Sequence, residues 1–358
     1  MDDKTVYSHR NLAIDMLRAL TMFIMIFVND FWKVHDVPHW LEHATYGEDF
    51  MGLADIVFPC FLFAVGMSIP YAIERRYAKG FSAESTLGHI LSRTFALLVM
   101  GAFITNSEFR LSPEAPYSIG VYWFLMAIGF IGVWNQYPKP TSGLQKNLFC
   151  VFKIIGALIL LYLAFTFRNP KEGVFGAYWG ILGSIGWTYL ICAVIYFFSR
   201  DHLKSLIFIW IAFVLICLLD TPLREEFGGT AILAFPERNF YHGMLSILHI
   251  GNGALPAFTM GGIILSVLSA RYAGKSTGWK LRNGGMVAVI FLLIGILAHH
   301  FWIVAKIGAT PTWVFYVIAI SVAAYTLLSY LVSHRITSWF NLIRPAGTAT
   351  LTLSLIHI

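Results

Sequence analysis

Apolar residues run along this chain in stretches of about 18 to 23, the length at which an α-helix crosses a bilayer, and polar residues collect in the gaps between them. The pattern predicts spans over 12–32, 50–73, 87–107, 117–135, 148–167, 177–198, 205–219, 247–269, 284–304 and 312–333, with an eleventh beginning near 346. The expected fold is all-α: a polytopic transmembrane helical bundle of about 10–11 spans, forming one domain over 1–358 with no Ser- or Pro-rich linker. The first run carries Asp15 and Arg18 and lacks a small-residue cleavage site, so it is expected to stay as an anchor rather than leave as a signal peptide. The last run, in "RPAGTATLTLSLIHI", is too short to span, and the natural protein is expected to continue beyond it.

Composition strengthens this pattern. Hydrophobic residues make up 58% of the chain and charged residues 12%, with a mean hydropathy of +0.69, too apolar for a soluble enzyme. With the N-terminus on the cytoplasmic side and the spans alternating, eighteen of the 25 basic residues fall inside, among them Arg75, Arg76, Lys79, Arg271, Lys280 and Arg282, and seven outside. The net charge of +6 thus reports membrane orientation, and nucleic acid is not an expected partner. Cys60, Cys150, Cys192 and Cys217 lie in or beside apolar spans without a CxxC pair and read as small core residues. Glycines at helical spacing, such as Gly129 and Gly132, or Gly176 and Gly180 with Ser184, are expected to let helices approach closely.

Polar chemistry concentrates between the first two runs. From Asn29 to Pro59 the segment holds Asn29, Asp30, His35, Asp36, His39, Glu42, His43, Glu48, Asp49 and Asp55. A rise of about 1.5 Å per residue carries the first helix about 25 Å from residue 12 to Asn29, at the outer boundary. The second helix starts back near residue 50, so Asn29, His43 and Asp55 are expected to converge at the external mouth of one helical hairpin. An imidazole held by a carboxylate could take a proton from an amine or hydroxyl, and an amide could donate to a developing oxyanion. The competing reading makes His43 one of three loop histidines with His35 and His39, and Asp55 a helix cap. Pro38 interrupts the four-residue spacing of those histidines and no HExxH or Cys partner accompanies them, so no metal site is expected.

The stretch "IDMLRALTMFIMIFVND" (Ile14 to Asp30), followed by "EHATYGEDFMGLADIVFPCFLFAVGMSI" (Glu42 to Ile69), resembles the heparan-α-glucosaminide N-acetyltransferase family. Its members are polytopic enzymes that move an acetyl group from acetyl-CoA across a membrane onto a terminal glucosamine. The resemblance implies that His43 is catalytic, that Asn29 assists it, and that acetyl-CoA is the co-substrate. About sixty N-terminal residues carry it, through "LADIVFPCFLF" with Asp55 and Pro59; the remainder agrees in its succession of helices.

Other polar residues take secondary roles. Asp15 and Arg18 share a face of the first helix and either join helices or meet the donor; Arg75 and Arg76 are candidates to hold its phosphates, although the orientation rule alone explains them. His249 and Asn252, near the outer end of the eighth span, are candidate acceptor-binding residues, and His299 and His300 lie toward the outer half of the ninth. The external loop 220–246, with Arg224, Glu225, Glu226 and His242, is long enough to serve as a lid or binding element. The expected protein is an acetyltransferase of the bacterial inner membrane, acting outside on an amino sugar or glycan with acetyl-CoA from the cytoplasm, and the sequence leaves room for a homodimer. The alternatives are a transporter or flippase of a small solute or glycolipid, and an O-acyltransferase of envelope glycans.

Overall fold

The computed structural model describes residues 7, 11–31, 34–108, 111–135, 137–170, 173–200, 202–233 and 240–348, apart from the side chains at 29, 30, 242 and 348. The helices are α1 (Leu12–Asp30), α2 (Leu53–Ala78), α3 (Ala83–Glu108), α4 (Ile119–Trp134), α5 (Gly143–Thr166), α6 (Gly180–Ser199), α7 (Leu203–Asp220), α8 (Phe240–Ile247), α9 (Ala254–Arg271), α10 (Thr277–His299), α11 (Pro311–Ser333) and α12 (Phe340–Thr348). Among the described residues there is no strand beyond an isolated bridge between Pro222 and Ala231. Each of the ten expected spans is largely overlapped by one of these helices, with ends that differ by up to seven residues. Eight of the helices are long and apolar enough to cross a membrane, and α4 is apolar but shorter. The chain is an all-helical polytopic membrane protein.

Helix starts follow local chemistry. Asn11 caps α1 by accepting from the amides of Ala13 and Ile14, and Ser118, Ser142 and Ser276 do the same for α4, α5 and α10. The expected span 247–269 begins late. His249, Gly251 and Gly253 all have positive φ, at 50°, 60° and 86°, which separates α8 from α9 and leaves the latter to begin at Ala254. Of the eleventh run, only the short α12 is described, and the residues after 348 lie outside the described set.

The helices form two compact units, one of residues 1–90 and 188–357 and one of residues 91–187. In the first, α2 is the buried centre. Its backbone touches that of α9: a Cβ on Gly66 would stand 2.0 Å from the Thr259 carbonyl oxygen, and one on Gly262 would stand 2.0 Å from that of Phe63. Ser266 Oγ closes the contact by donating to the Met67 carbonyl at 2.9 Å. Lipid tails supply no hydrophobic drive between apolar helices, so such close packing and hydrogen bonding must hold them together. At the other end of α2, Val28 of α1 packs with Ala54 and Val57, joined by Ile24, Met25, Phe31 and Leu53. The end of α1 is thereby set beside the start of α2.

In the second unit Gly129 and Gly132 of α4 meet Gly156 of α5, as the glycine spacing predicts. Gly180 admits Thr105 and Gly101 admits Gly183, whereas the space at Gly176 is taken by the ring of its own neighbour Tyr178. Ser184 is half-buried and donates back to the Gly180 carbonyl. Buried Asn106 donates to the carbonyls of Ala102 and Gly176 and accepts the Gly176 amide. Cys60, Cys192 and Cys217 are core residues as expected, but Cys150 is exposed on α5, an apolar helix with much of its surface outward.

Candidate active site

Asp55 sits in the first turn of α2, three residues after its N-cap Gly52. Its carboxylate oxygen Oδ2 accepts the Ala44 amide at 2.9 Å and the Gly52 amide at 3.2 Å, while Oδ1 lies 2.8 Å from His43 Nδ1. The residue is 1% exposed. Its carbonyl accepts the Trp313 indole at 3.0 Å, tying it to α11. Helix cap and histidine partner are therefore one carboxylate doing both: one oxygen closes the helix and the other orients the ring. The local chain permits this because position 52 is glycine, where a Cβ would stand 2.0 Å from the Glu42 carbonyl oxygen.

A third group joins the pair. Lys306, in the loop between α10 and α11, places Nζ 3.0 Å from His43 Nδ1 and 3.7 Å from Asp55 Oδ1. Burial pulls the Lys306 ammonium below its ordinary pKa, and neighbouring Asp55 offsets only part of that pull. Lys306 is absent from the sequence-derived site. The available signal is weak: one basic residue in a short gap between two spans.

The Lys306 loop is held by a second carboxylate. Asp49 pairs with Arg224, lies 2.9 Å (Oδ1) and 3.0 Å (Oδ2) from His299 Nε2, and accepts the Val304 amide at 2.7 Å. Phe50 donates its amide to the Val304 carbonyl at 3.1 Å, and Arg224 Nε donates to the His299 carbonyl at 3.0 Å. Burial alone would raise the Asp49 pKa, but the Val304 amide, His299 and Arg224 together outweigh it and hold the carboxyl below its ordinary value. Among the described residues of the 220–246 loop, Arg224 reaches this cluster.

The remaining candidates disperse. His39 stacks on Phe50, with centroids 4.2 Å apart, and bonds Glu48 at 2.7 Å, so it braces the loop away from His43. Glu48 is held below its ordinary pKa chiefly by the Thr45 amide and hydroxyl. Asn29 belongs to the last turn of α1, and its side chain lies outside the described set, as does that of His242. Asn252 donates to the Ala309 carbonyl at 2.9 Å and to Thr221 Oγ1 at 3.3 Å, which supports the Lys306 loop from behind. His249 is exposed, and desolvation lowers its pKa. Arg18 donates to the Gly347 carbonyl at 2.9 Å, linking α1 to α12, and Asp15 lies one turn away on the same helix. Arg75 is exposed. Arg76 bonds the Ser85 carbonyl and hydroxyl and covers the Phe81 ring, bracing the turn between α2 and α3. Among the described residues, no three His, Cys, Asp or Glu gather as metal ligands.

At the other end of the same unit lies a cavity of about 380 Å³ lined by Asn11, Tyr71, Ser269, Trp279, Lys280 and Tyr325 with their neighbours. Tyr71 follows Asp55 on α2 by enough turns to separate the two sites by about 24 Å.

Comparison with known proteins bears on the His43 end. A family described as "Heparan-alpha-glucosaminide N-acetyltransferase, catalytic" matches residues 10–134. The chain is 27% identical over 201 residues to the heparan-alpha-glucosaminide N-acetyltransferase of Mus musculus, covering 50% of this chain and 29% of the mouse protein. It is 30% identical over 196 residues to the enzyme of Homo sapiens, covering 49% of this chain and 28% of the human protein. The chain thus spans less than a third of the length of these relatives. His43, Asp49 and Asp55 fall inside the matched segment and Lys306 outside it, and the resemblance read from the sequence stands: residues 10–134 are similar to the catalytic region of the heparan-alpha-glucosaminide N-acetyltransferase family.

Proposed function

We propose that the chain is a membrane-embedded acetyltransferase that carries an acetyl group from acetyl-CoA to an amino sugar or glycan end, with His43 as general base or acyl carrier. The observation that carries this reading is the His43–Asp55 pair, in which a fully buried carboxylate holds one ring nitrogen of a partly exposed imidazole within the family-matched segment. With hydrogen on Nδ1, donated to Asp55, the Nε2 lone pair can take the proton of an attacking amine or attack the thioester carbonyl. Asn29 at the end of α1 is the proposed oxyanion donor. In the first route the amine nitrogen bonds the acetyl carbon, its proton passes to Nε2, and the thiolate of CoA departs to be protonated. In the second, Nε2 carries the acetyl group between donor and acceptor.

The distribution of basic residues supports a cytoplasmic N-terminus and an external His43, and the proposed location is a bacterial inner membrane. The 380 Å³ cavity is then on the cytoplasmic side, with Arg75 and Arg76 at the same end of α2. We assign it, with Asp15 and Arg18, to the approach of acetyl-CoA, and His249 and Asn252 to the acceptor side. The test is direct. Membranes carrying the protein are incubated with labelled acetyl-CoA and a panel of amino sugars; the native chain is expected to give a labelled product that His43→Ala lowers by about 10²–10⁴-fold. Unchanged labelling by a folded His43→Ala protein rejects the reading.

A further inference from the structure

His43 Nδ1 has two claimants, Asp55 Oδ1 at 2.8 Å and Lys306 Nζ at 3.0 Å. The ring nitrogen of a neutral imidazole bears either a hydrogen or a lone pair, so only one of these contacts is an ordinary hydrogen bond at a time. When Lys306 is an ammonium, it donates to the Nδ1 lone pair and the ring hydrogen sits on Nε2. An ammonium facing an Nδ1–H instead would set donor against donor, which its ion pair with Asp55 Oδ1 at 3.7 Å offsets only in part. When Lys306 is a neutral amine, the ring hydrogen moves to Nδ1 and donates to Asp55, and Nε2 gains the lone pair. One proton leaves the cluster between these states, from Lys306 to water. Moving that extra proton onto the ring instead makes an imidazolium, in which Nε2 is again occupied.

We propose that Lys306 is a positioning residue for His43, its protonation selecting which ring nitrogen holds the lone pair and so when Nε2 can take a proton or an acetyl group. This deepens the acetyltransferase reading and rests on it. The structure supplies what such a control requires. Lys306 is mostly buried, and burial moves its titration down from the ordinary lysine range. Its loop is fixed by Asp49, Arg224 and His299, which are bound to one another, and by Asn252 at Ala309. Asp220 at the end of α7 and His249 before α9 stand near Cys217 and Asn252, which bond Ala309 of its loop, and Glu48 stands near Phe50, which bonds Val304; among the described residues, His43 and Asp55 face Nζ. A lysine suits the task, because an arginine at this place would remain charged and hold Nε2 protonated throughout.

The test does not need the acceptor. Purified full-length protein is treated with diethyl pyrocarbonate, which modifies imidazole at a nitrogen bearing a lone pair, and labelling of the His43 peptide is followed by mass spectrometry from mildly acidic to mildly basic pH. In the native chain labelling should rise with pH in step with loss of the Lys306 proton. In Lys306→Met, or Lys306→Ala as a second neutral variant, the rise should shift to lower pH, giving about tenfold faster labelling in mildly acidic buffer, the ratio for a displacement of one unit. In Lys306→Arg, labelling should stay low across the series. A merely structural or charge-balancing lysine predicts the opposite, with Arg behaving as the native residue. Native-like labelling of Lys306→Arg, or no acceleration in both neutral variants, overturns the proposal. The outcome is separable from that of the acetyltransferase reading, which stands or falls on transfer by His43→Ala.

Discussion

Two carboxylates near the start of α2 are built from the same kinds of partner and differ in what those partners can do. Asp49 takes a backbone amide from Val304, a histidine, His299, and a cation, Arg224. Asp55 takes backbone amides from Ala44 and Gly52, a histidine, His43, and approaches a cation, Lys306. Their side-chain exposures, 32% and 2%, mark the contrast. The Asp49 partner is a guanidinium that keeps its proton, so that cluster is a clamp joining three loops around a permanent cation. The Asp55 partner is a buried amine pulled toward neutrality, so that cluster can exchange a proton. The first holds the second together, because Lys306 rides on the loop that Asp49 anchors.

The largest expected effect comes from Asp55→Asn. The amide must keep its oxygen toward the Ala44 and Gly52 amides, which puts its NH₂ group against His43 Nδ1. A donor there drives the ring hydrogen to Nε2 and removes the lone pair from the nitrogen proposed to react. Acetyl transfer from labelled acetyl-CoA should fall by about a hundredfold or more, while the helix cap and the Trp313 bond survive. A native rate in this variant would break the distinction drawn between the two carboxylates.

How much of this was readable in advance follows the range of the interactions. The helices were legible because apolar run length alone sets a span, and His43 with Asp55 because both lie on one short connection whose ends a hairpin must bring together. The late start of α9 is legible only in part: Gly251 and Gly253 carry a helix-breaking signal in the sequence, whereas His249, with φ of 50°, carries none. The pairing of Gly66 with Thr259 and of Gly262 with Phe63 was invisible for another reason: it joins helices far apart in the chain, and a small residue does not name its partner. Lys306 was missed on the same ground, being 263 positions from His43. The sequence leaves Arg18 open between packing and donor binding, and its bond to Gly347 supplies a packing contact that no local pattern encodes.

Asp49→Asn sharpens the comparison through pH. The Asp49 pKa is lowered in the folded protein, so its contribution to stability is present above the unfolded carboxyl value and lost as pH falls through the lower, folded one. Melting temperatures of the native and Asp49→Asn proteins should therefore differ most near neutrality and converge in acid. Lys306 has the reverse linkage: its lowered pKa penalises folding while the amine is protonated, and the penalty fades as pH rises through the folded value toward the unfolded one. The Asp49→Asn difference should thus shrink in acid, whereas Lys306→Met should gain most over the native protein at neutral and lower pH. Parallel melting curves for all three proteins across pH would remove the contrast.

The smallest effect is expected at Arg224, where the comparison turns on geometry rather than charge. Lysine keeps the positive charge beside Asp49 but lacks the planar fork that lets Arg224 bond Asp49 and the His299 carbonyl together. Arg224→Lys should therefore cost about 1 kcal/mol in a denaturation midpoint, the net value of one hydrogen bond. Acetyl transfer should drop by less than about tenfold, since loosening the loop only partly withdraws Lys306 from His43. A loss as large as that of Asp55→Asn would instead mean that Asp49 and its partners act on the reacting atoms directly, and that the clamp and the proton-exchanging cluster are one catalytic unit.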